Sequence, residues 1–194
     1  MELPANLYHW LVRPEWFANK YINIYLNSNY SFKNKNVLDF GCGTGAICTN
    51  FEPNGYLGVD CDSKRINFAQ RRYPEYNYKT IGSSHFPVSD GVIDYILIIS
   101  VLHHIPDSNI HAYFEEFKRI LKPDGKIILI EPYICDKINF RSRLMCFLDR
   151  GKYIRREEEY LNLFQQHHFN ARTMKKYSQL LIYEKIIIEA NQVQ

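Results

Sequence analysis

Residues 37–45 read VLDFGCGTG, and the reading of this stretch decides the fold. An apolar opening passes into three glycines spaced GxGxG, where a predicted strand gives way to a helix predicted over Gly45 to Phe51, its start near Thr44. Glycine tolerates backbone conformations and close approaches that a β-carbon forbids, so Gly41, Gly43 and Gly45 can bring main-chain groups against a ligand. A helix beginning here would add its own unpaired N–H groups. The dinucleotide fingerprint is GxGxxG with pyrophosphate at the helix N-terminus, and the different spacing here suits a ligand without that diphosphate.

Asp60 ends the next predicted strand, 21 residues beyond Asp39. A carboxylate about 20 residues along such a unit meets ribose hydroxyls. Two plainer readings stand beside these: a tight strand-to-helix turn with no ligand, and Asp60 as the cap of the helix that follows from Ser63.

Outward from this turn, short β-branched runs alternate with stretches of helical period. Strands are predicted at Asn36 to Phe40, Tyr56 to Asp60, Asn77 to Thr80, Ile93 to Ser100 and Lys126 to Glu131. Helices are predicted at Ser63 to Arg72 and Asn109 to Leu121, the latter with Ala112, Tyr113, Phe117, Ile120 and Leu121 on one stripe. LKPDG, 121–125, reads as a helix stop in which Gly125 takes positive φ. Two helices, about 138–149 and 157–167, and two strand-like runs, Arg172 to Tyr177 and Leu180 to Ile188, complete the chain, with Ser178 and Gln179 as the turn of a terminal hairpin. The expected fold is α/β: a Rossmann-like, doubly wound, mostly parallel seven-stranded sheet with a C-terminal antiparallel hairpin. At 194 residues a single domain is expected, with a helical cap (1–30), a ligand-binding core (35–131), variable helices (132–170) and the hairpin (171–189).

In its ordered motifs the chain resembles the class I S-adenosylmethionine-dependent methyltransferases, particularly the small-molecule and quinone-biosynthesis subgroup known as methyltransferase type 11. The resemblance covers about residues 35–131 and rests on VLDFGCGTG, on LGVDCD at 57–62, on FPVSDGVIDYILIISVLHHI at 86–105 and on RILKPDGKIILIEP at 119–132. It implies S-adenosylmethionine as cofactor, with Asp39, Cys42 and the backbone of Gly41, Gly43 and Gly45 around its methionine part, Asp60 on the ribose and Cys61 beside the adenine. Where the family usually carries an Asp and a small residue to meet the adenine, this chain has Gly82, Ser83 and Ser84. Ser100 lies near the cofactor by the same analogy.

A methyl sulfonium is already activated, so the reaction needs mainly alignment with a nucleophile, and no metal is demanded. His103 and His104, after the fourth strand, are candidate bases because a neutral imidazole accepts protons near neutral pH; the alternative is packing or hydrogen bonding. Glu131 is a further candidate, with a strand-terminating turn before Pro132 as the equal account.

The aromatic preface (Tyr8, Trp10, Trp16, Phe17, Tyr21, Tyr25) reads as a helix packed on the domain or as a substrate lid. Arg141, Arg143, Arg150, Lys152, Arg155 and Arg156 suit an acidic, phosphorylated or lipid-like small-molecule acceptor, or form a solvated helix boundary before Glu157, Glu158 and Glu159. A charge of +3 argues for no nucleic-acid partner, and five cysteines outside metal-ligand spacings argue for reduced thiols and a cytoplasmic setting. No apolar run approaches the about 20 residues of a membrane span, so no stable membrane insertion is expected. The competing function is a noncatalytic binding protein that keeps the fold; a nicotinamide oxidoreductase conflicts with the glycine spacing.

Overall fold

The computed structural model describes residues 22–135, 153–179 and 183–193. The chain falls into two compact units, Met1–Ser83 and Ser84–Gln194. In the first, β1 (Val37–Phe40), β2 (Tyr56–Asp60) and β3 (Asn77–Thr80) pair in parallel, Asp39 opposite Gly58 and Asp60 opposite Thr80. Every residue of β1 is buried, as a strand covered on both faces requires. Two helices accompany them, α1 (Ile24–Asn29) and α2 (Ser63–Arg72). The α2 N-terminus is capped by Asp62, which accepts from the N–H of Lys64 at 2.8 Å and Arg65 at 3.3 Å, while Arg71 and Arg72 complement the dipole at its other end. An aromatic core fills the unit: Phe32 meets Phe51 edge-on at 4.8 Å, Phe51 stacks on Tyr56 at 5.6 Å and Tyr56 meets Tyr76 at 5.5 Å.

The helix expected over Gly45 to Phe51 does not form. Gly43 and Gly45 sit at φ 56° and 75°, outside the right-handed region, and the chain continues in tight turns to a 3₁₀ turn at Cys48–Asn50. The physical reason is local: Ile47, Cys48, Thr49 and Asn50 are weak helix formers, and Pro53 follows at once. The helix N-terminus anticipated beside Thr44 is therefore absent from the turn.

The second unit has strand order β4-β5-β8-β7, formed by β4 (Ile93–Ile99), β5 (Leu121–Ile134), β8 (Tyr183–Gln192) and β7 (Phe169–Gln179). A two-residue β6 (Arg155–Arg156) adds to the end of β5. β4 and β5 run parallel, and among the described residues antiparallel pairing enters only through β8, against β5 and β7. This is the expected α/β class, mostly parallel with a C-terminal antiparallel hairpin.

Helices α3 (Asp107–Ile120) and α4 (Glu157–Gln166) belong to the same unit. The buried stripe of α3 is Ile110, Phe114, Phe117 and Ile120; Ala112, expected on it, is exposed, because the apolar positions recur at i, i+4, i+7 and i+10. No loop separates α3 from β5. Leu121 already pairs with Ile93, Lys126 pairs with Tyr95, and Lys122 to Gly125 bulge out between them. Gly125 does not take positive φ. A β-carbon there would lie 2.7 Å from Leu121 Cγ and 3.0 Å from Ile93 O, so closeness, not handedness, requires glycine.

Ser178 and Gln179 do not form the hairpin turn; they pair with Glu184 and Tyr183 inside the ladder, whose register the strands' own packing sets, and the connection falls at 180–182. The preface up to Tyr21, the helix expected at 138–149 and the basic run as far as Lys152 lie outside the described residues.

Candidate functional site

The glycine turn of the first unit is fastened to β2. Gly41 and Cys42 both donate their N–H to Val59 O, at 2.8 and 3.1 Å. The buried Asp60 carboxylate accepts the N–H of Gly43 on Oδ2 at 2.8 Å and that of Asp62 on Oδ1 at 2.9 Å. The helix cap is Asp62, so the plain account of Asp60 as a cap fails. Each Asp60 oxygen keeps acceptor capacity beyond the one N–H it binds.

Gly43, Gly45 and Gly41 all occupy the left-handed region, with Gly41 at φ 74°. The space beside them differs. A β-carbon at Gly43 would meet nothing within 4 Å, so its open side is available to a ligand, whereas one at Gly45 would lie 2.6 Å from Tyr78 Oη. Gly45 is thus a packing requirement of the Tyr78 ring.

Asp39 is buried beneath the turn, and its Oδ2 accepts from Tyr56 Oη at 2.8 Å. Burial, then the Asp39 charge, pushes the Tyr56 hydroxyl well above its usual range. Cys42 is buried too, and burial with Asp39 and Asp60 nearby holds its thiol protonated. Burial pushes Cys48 up to about 12. Cys61 is exposed, with its thiol raised by partial burial and by Asp60. Ser83 is exposed and ends this unit; Ser84, half-buried, begins the next.

In the second unit the loop after β4 is held by a buried polar network. Ser100 adopts φ 57°, a conformation uncommon for a non-glycine residue, and its N–H donates to Ile130 O at 2.9 Å. Lys185 Nζ, from β8, donates to Ser100 Oγ at 2.5 Å. Fully buried Glu131 accepts from the N–H of Val101 at 2.6 Å and Leu102 at 2.9 Å, and its Oε2 meets His103 Nδ1 at 2.5 Å. Burial pushes the Glu131 carboxyl up, but His103, Lys185 and the Val101 N–H together outweigh it and hold the group below its ordinary range. Arg155 donates to Leu102 O at 3.2 Å and pairs with Asp107, and the Tyr153 N–H donates to His103 O at 3.1 Å.

Glu131 therefore does not end a strand; it lies within β5, opposite Ile186. His103 is 1% exposed and His104 is exposed, their rings 4.0 Å apart. Lys185 and Arg155 are the members of this network that sequence reasoning left out of it. The signal for Lys185 was a lone lysine in the apolar run at 180–188, since a cation buried in a strand requires partners. Arg155 carried no such mark within its basic stretch.

The architecture is that of the class I methyltransferases. Residues 38–129 match the family model described as a methyltransferase domain, and the chain carries a domain of this type 11 family over that segment. A demethylmenaquinone methyltransferase of Lactobacillus johnsonii is 30% identical over 106 residues, covering 49% of this chain and 43% of that protein. The chain spans about two fifths of the length of the first curated relatives it matches.

Two solved structures share the fold at 14% identity. A SAM-dependent methyltransferase from Aquifex aeolicus matches with a TM-score of 0.68, covering 97% of this chain and 99% of that one. The geranyl diphosphate C-methyltransferase of Streptomyces coelicolor, solved with Mg²⁺, geranyl diphosphate and S-adenosyl-L-homocysteine, matches with 0.70, covering 90% and 79%. Among the described residues, no helix is long and apolar enough to cross a membrane.

Proposed function

We propose that this chain is an S-adenosylmethionine-dependent methyltransferase that works in the cytoplasm on a small-molecule or lipid-like acceptor by direct methyl transfer. The observation that carries the reading is the bond between Asp60 and the Gly43 N–H. It fixes a buried carboxylate at the carboxyl end of β2 beside a left-handed glycine whose far side is open. Strand ends of this kind are where open α/β sheets take nucleosides.

The residues present fit the cofactor. Asp60 has spare acceptor positions for ribose hydroxyls, the Gly43 face admits a close backbone approach, and the Asp39 charge lies under the turn for the cationic methionine part. Cys61 is assigned beside the adenine, with Ser83 and Ser84 in place of the usual acidic contact. The bound cofactor would supply an electrophilic methyl group, leaving alignment as the main task of the protein.

Of the two histidines, we assign His103 a positioning role, because it is enclosed and its Nδ1 is committed to Glu131. His104, which reaches solvent, is the histidine assigned to the acceptor's proton where one must be removed. Quinone and isoprenoid substrates of the relatives support an extended apolar acceptor. All four described cysteines are free thiols, in keeping with a reducing compartment.

The test is calorimetric titration of the purified chain with S-adenosylmethionine and S-adenosylhomocysteine, NADH serving as control, followed by labelled methyl transfer to prenylated quinone precursors and fatty acids. Saturable binding of the first two alone, with label transferred to one acceptor class, is expected. Binding without transfer to any acceptor would favour the noncatalytic reading, and no binding by folded protein would defeat both.

A further inference from the structure

Three ligand-type side chains outside the loops above converge where α3 meets the end of α4. His111 and Glu115 stand at i and i+4 on α3, on one face of the helix, and His167 directly follows the last residue of α4. His111 Nδ1 and His167 Nδ1 are 3.5 Å apart, and one donor atom from each of His111, Glu115 and His167 lies within 4.8 Å of the others. A separation of 3.5 Å is long for a hydrogen bond between ring nitrogens. It matches the edge of a tetrahedral zinc site, where bonds of about 2.1 Å place two nitrogens about 3.4 Å apart.

The donors are also held in place before any ion arrives. The His167 ring stacks on fully buried Phe114 at 4.6 Å, and its backbone N–H donates to Phe164 O at 3.1 Å. The helix backbone fixes the spacing of His111 and Glu115. Lys118 is the one competitor on the page: its Nζ donates to Glu115 Oε1 at 2.8 Å. Two imidazoles and one carboxylate favour a borderline transition metal over Mg²⁺ or Ca²⁺, which take oxygen ligands.

We propose that His111, Glu115 and His167 bind a divalent transition metal of the zinc class, with water completing the coordination, and that the ion ties α3 to the end of α4. This site is independent of the methyl-transfer reading.

The experiment is calorimetric titration of the whole, chelator-treated chain with ZnCl₂, paired with thermal melts and with MgCl₂ as control. Wild type should bind one Zn²⁺ and melt higher in its presence. His111→Ala and His167→Phe should each weaken binding at least tenfold and abolish the rise in melting temperature; the second variant keeps an aromatic ring on Phe114. Lys118→Ala should tighten binding by releasing Glu115. Zinc affinity unchanged in both histidine variants, as binding to the cysteines would give, overturns the proposal, as does Mg²⁺ binding of equal strength.

Discussion

Asp60→Asn is the substitution that most directly tests the glycine turn. The carboxylate accepts two backbone N–H groups, one on each oxygen, at 2.8 and 2.9 Å. An amide of the same shape has one acceptor oxygen, so its NH₂ must face either the Gly43 or the Asp62 N–H. One charge-assisted bond becomes a donor facing a donor, and the remaining bond loses its charge. Hydrogen bonds to charged groups contribute about 1.5–3 kcal/mol, so the variant should lose roughly 2 kcal/mol of stability. The same oxygens are the proposed ribose acceptors, so S-adenosylhomocysteine should bind about 1–3 kcal/mol more weakly, roughly 5- to 150-fold.

Urea denaturation reads the first quantity and calorimetry below the unfolding transition reads the second. Asp60→Ala gives the bracket, since it removes both acceptors and leaves the Gly43 N–H with none. A folded Asp60→Asn protein that is destabilised as expected yet binds with wild-type affinity would show that Asp60 only staples the turn. The cofactor assignment would then fall.

The other expectations concern the scaffold. Gly45→Ala should cost about 2–4 kcal/mol in urea denaturation, from left-handed strain and from displacing Tyr78, whose Oη would lie 2.6 Å from the new methyl carbon. Glu131→Gln removes the charge that faces His103 and the two N–H groups of the loop, and about 3 kcal/mol should be lost in the same assay. Glu116 is held at about 2 by Arg119, against the opposing effect of burial, with further help from the Phe86 N–H and His85. A depressed carboxyl stabilises the fold above its unfolded value and loses that contribution as pH falls, here between about 4.5 and about 2. Glu116→Gln should flatten the acid limb of a pH series of melts by about 1–2 kcal/mol, after allowance for screening by water.

What was legible in the sequence was what neighbours in sequence decide. β1, β2 and β3 fall where their apolar runs and bounding residues put them, and α2 begins where Asp62 and Ser63 mark a start. What was not legible depends on distant partners. The 3₁₀ turn at Cys48–Asn50 replaces a helix because two left-handed glycines and poor helix formers meet in a few residues. The hairpin register is set by β8 pairing with β5 as well as β7, so the strand continues through Ser178 and Gln179 regardless of their turn propensity. In the candidate site, the glycine turn and Asp60 were readable because they belong to one βαβ unit. The Asp62 cap, two residues on, was needed to separate two roles that the sequence alone leaves merged.

Lys185 carries this distinction furthest. It is 5% exposed, and Ile186, Ile187 and Ile188 follow it in β8, so in an apolar sheet its ammonium group would be costly without partners. Those partners lie 85 and 54 residues earlier in the chain: Ser100 Oγ, and the Glu131 charge that Lys185 helps to hold ionised. Ser100 is also the residue in an unfavourable backbone conformation, and such a conformation persists only where its surroundings over-determine it. The terminal hairpin therefore does more than close a sheet edge. Through β8 it delivers a buried cation to the loop after β4, where His103 and His104 stand, so the antiparallel end of the sheet is coupled to the geometry of the loop on which the acceptor-side chemistry is proposed.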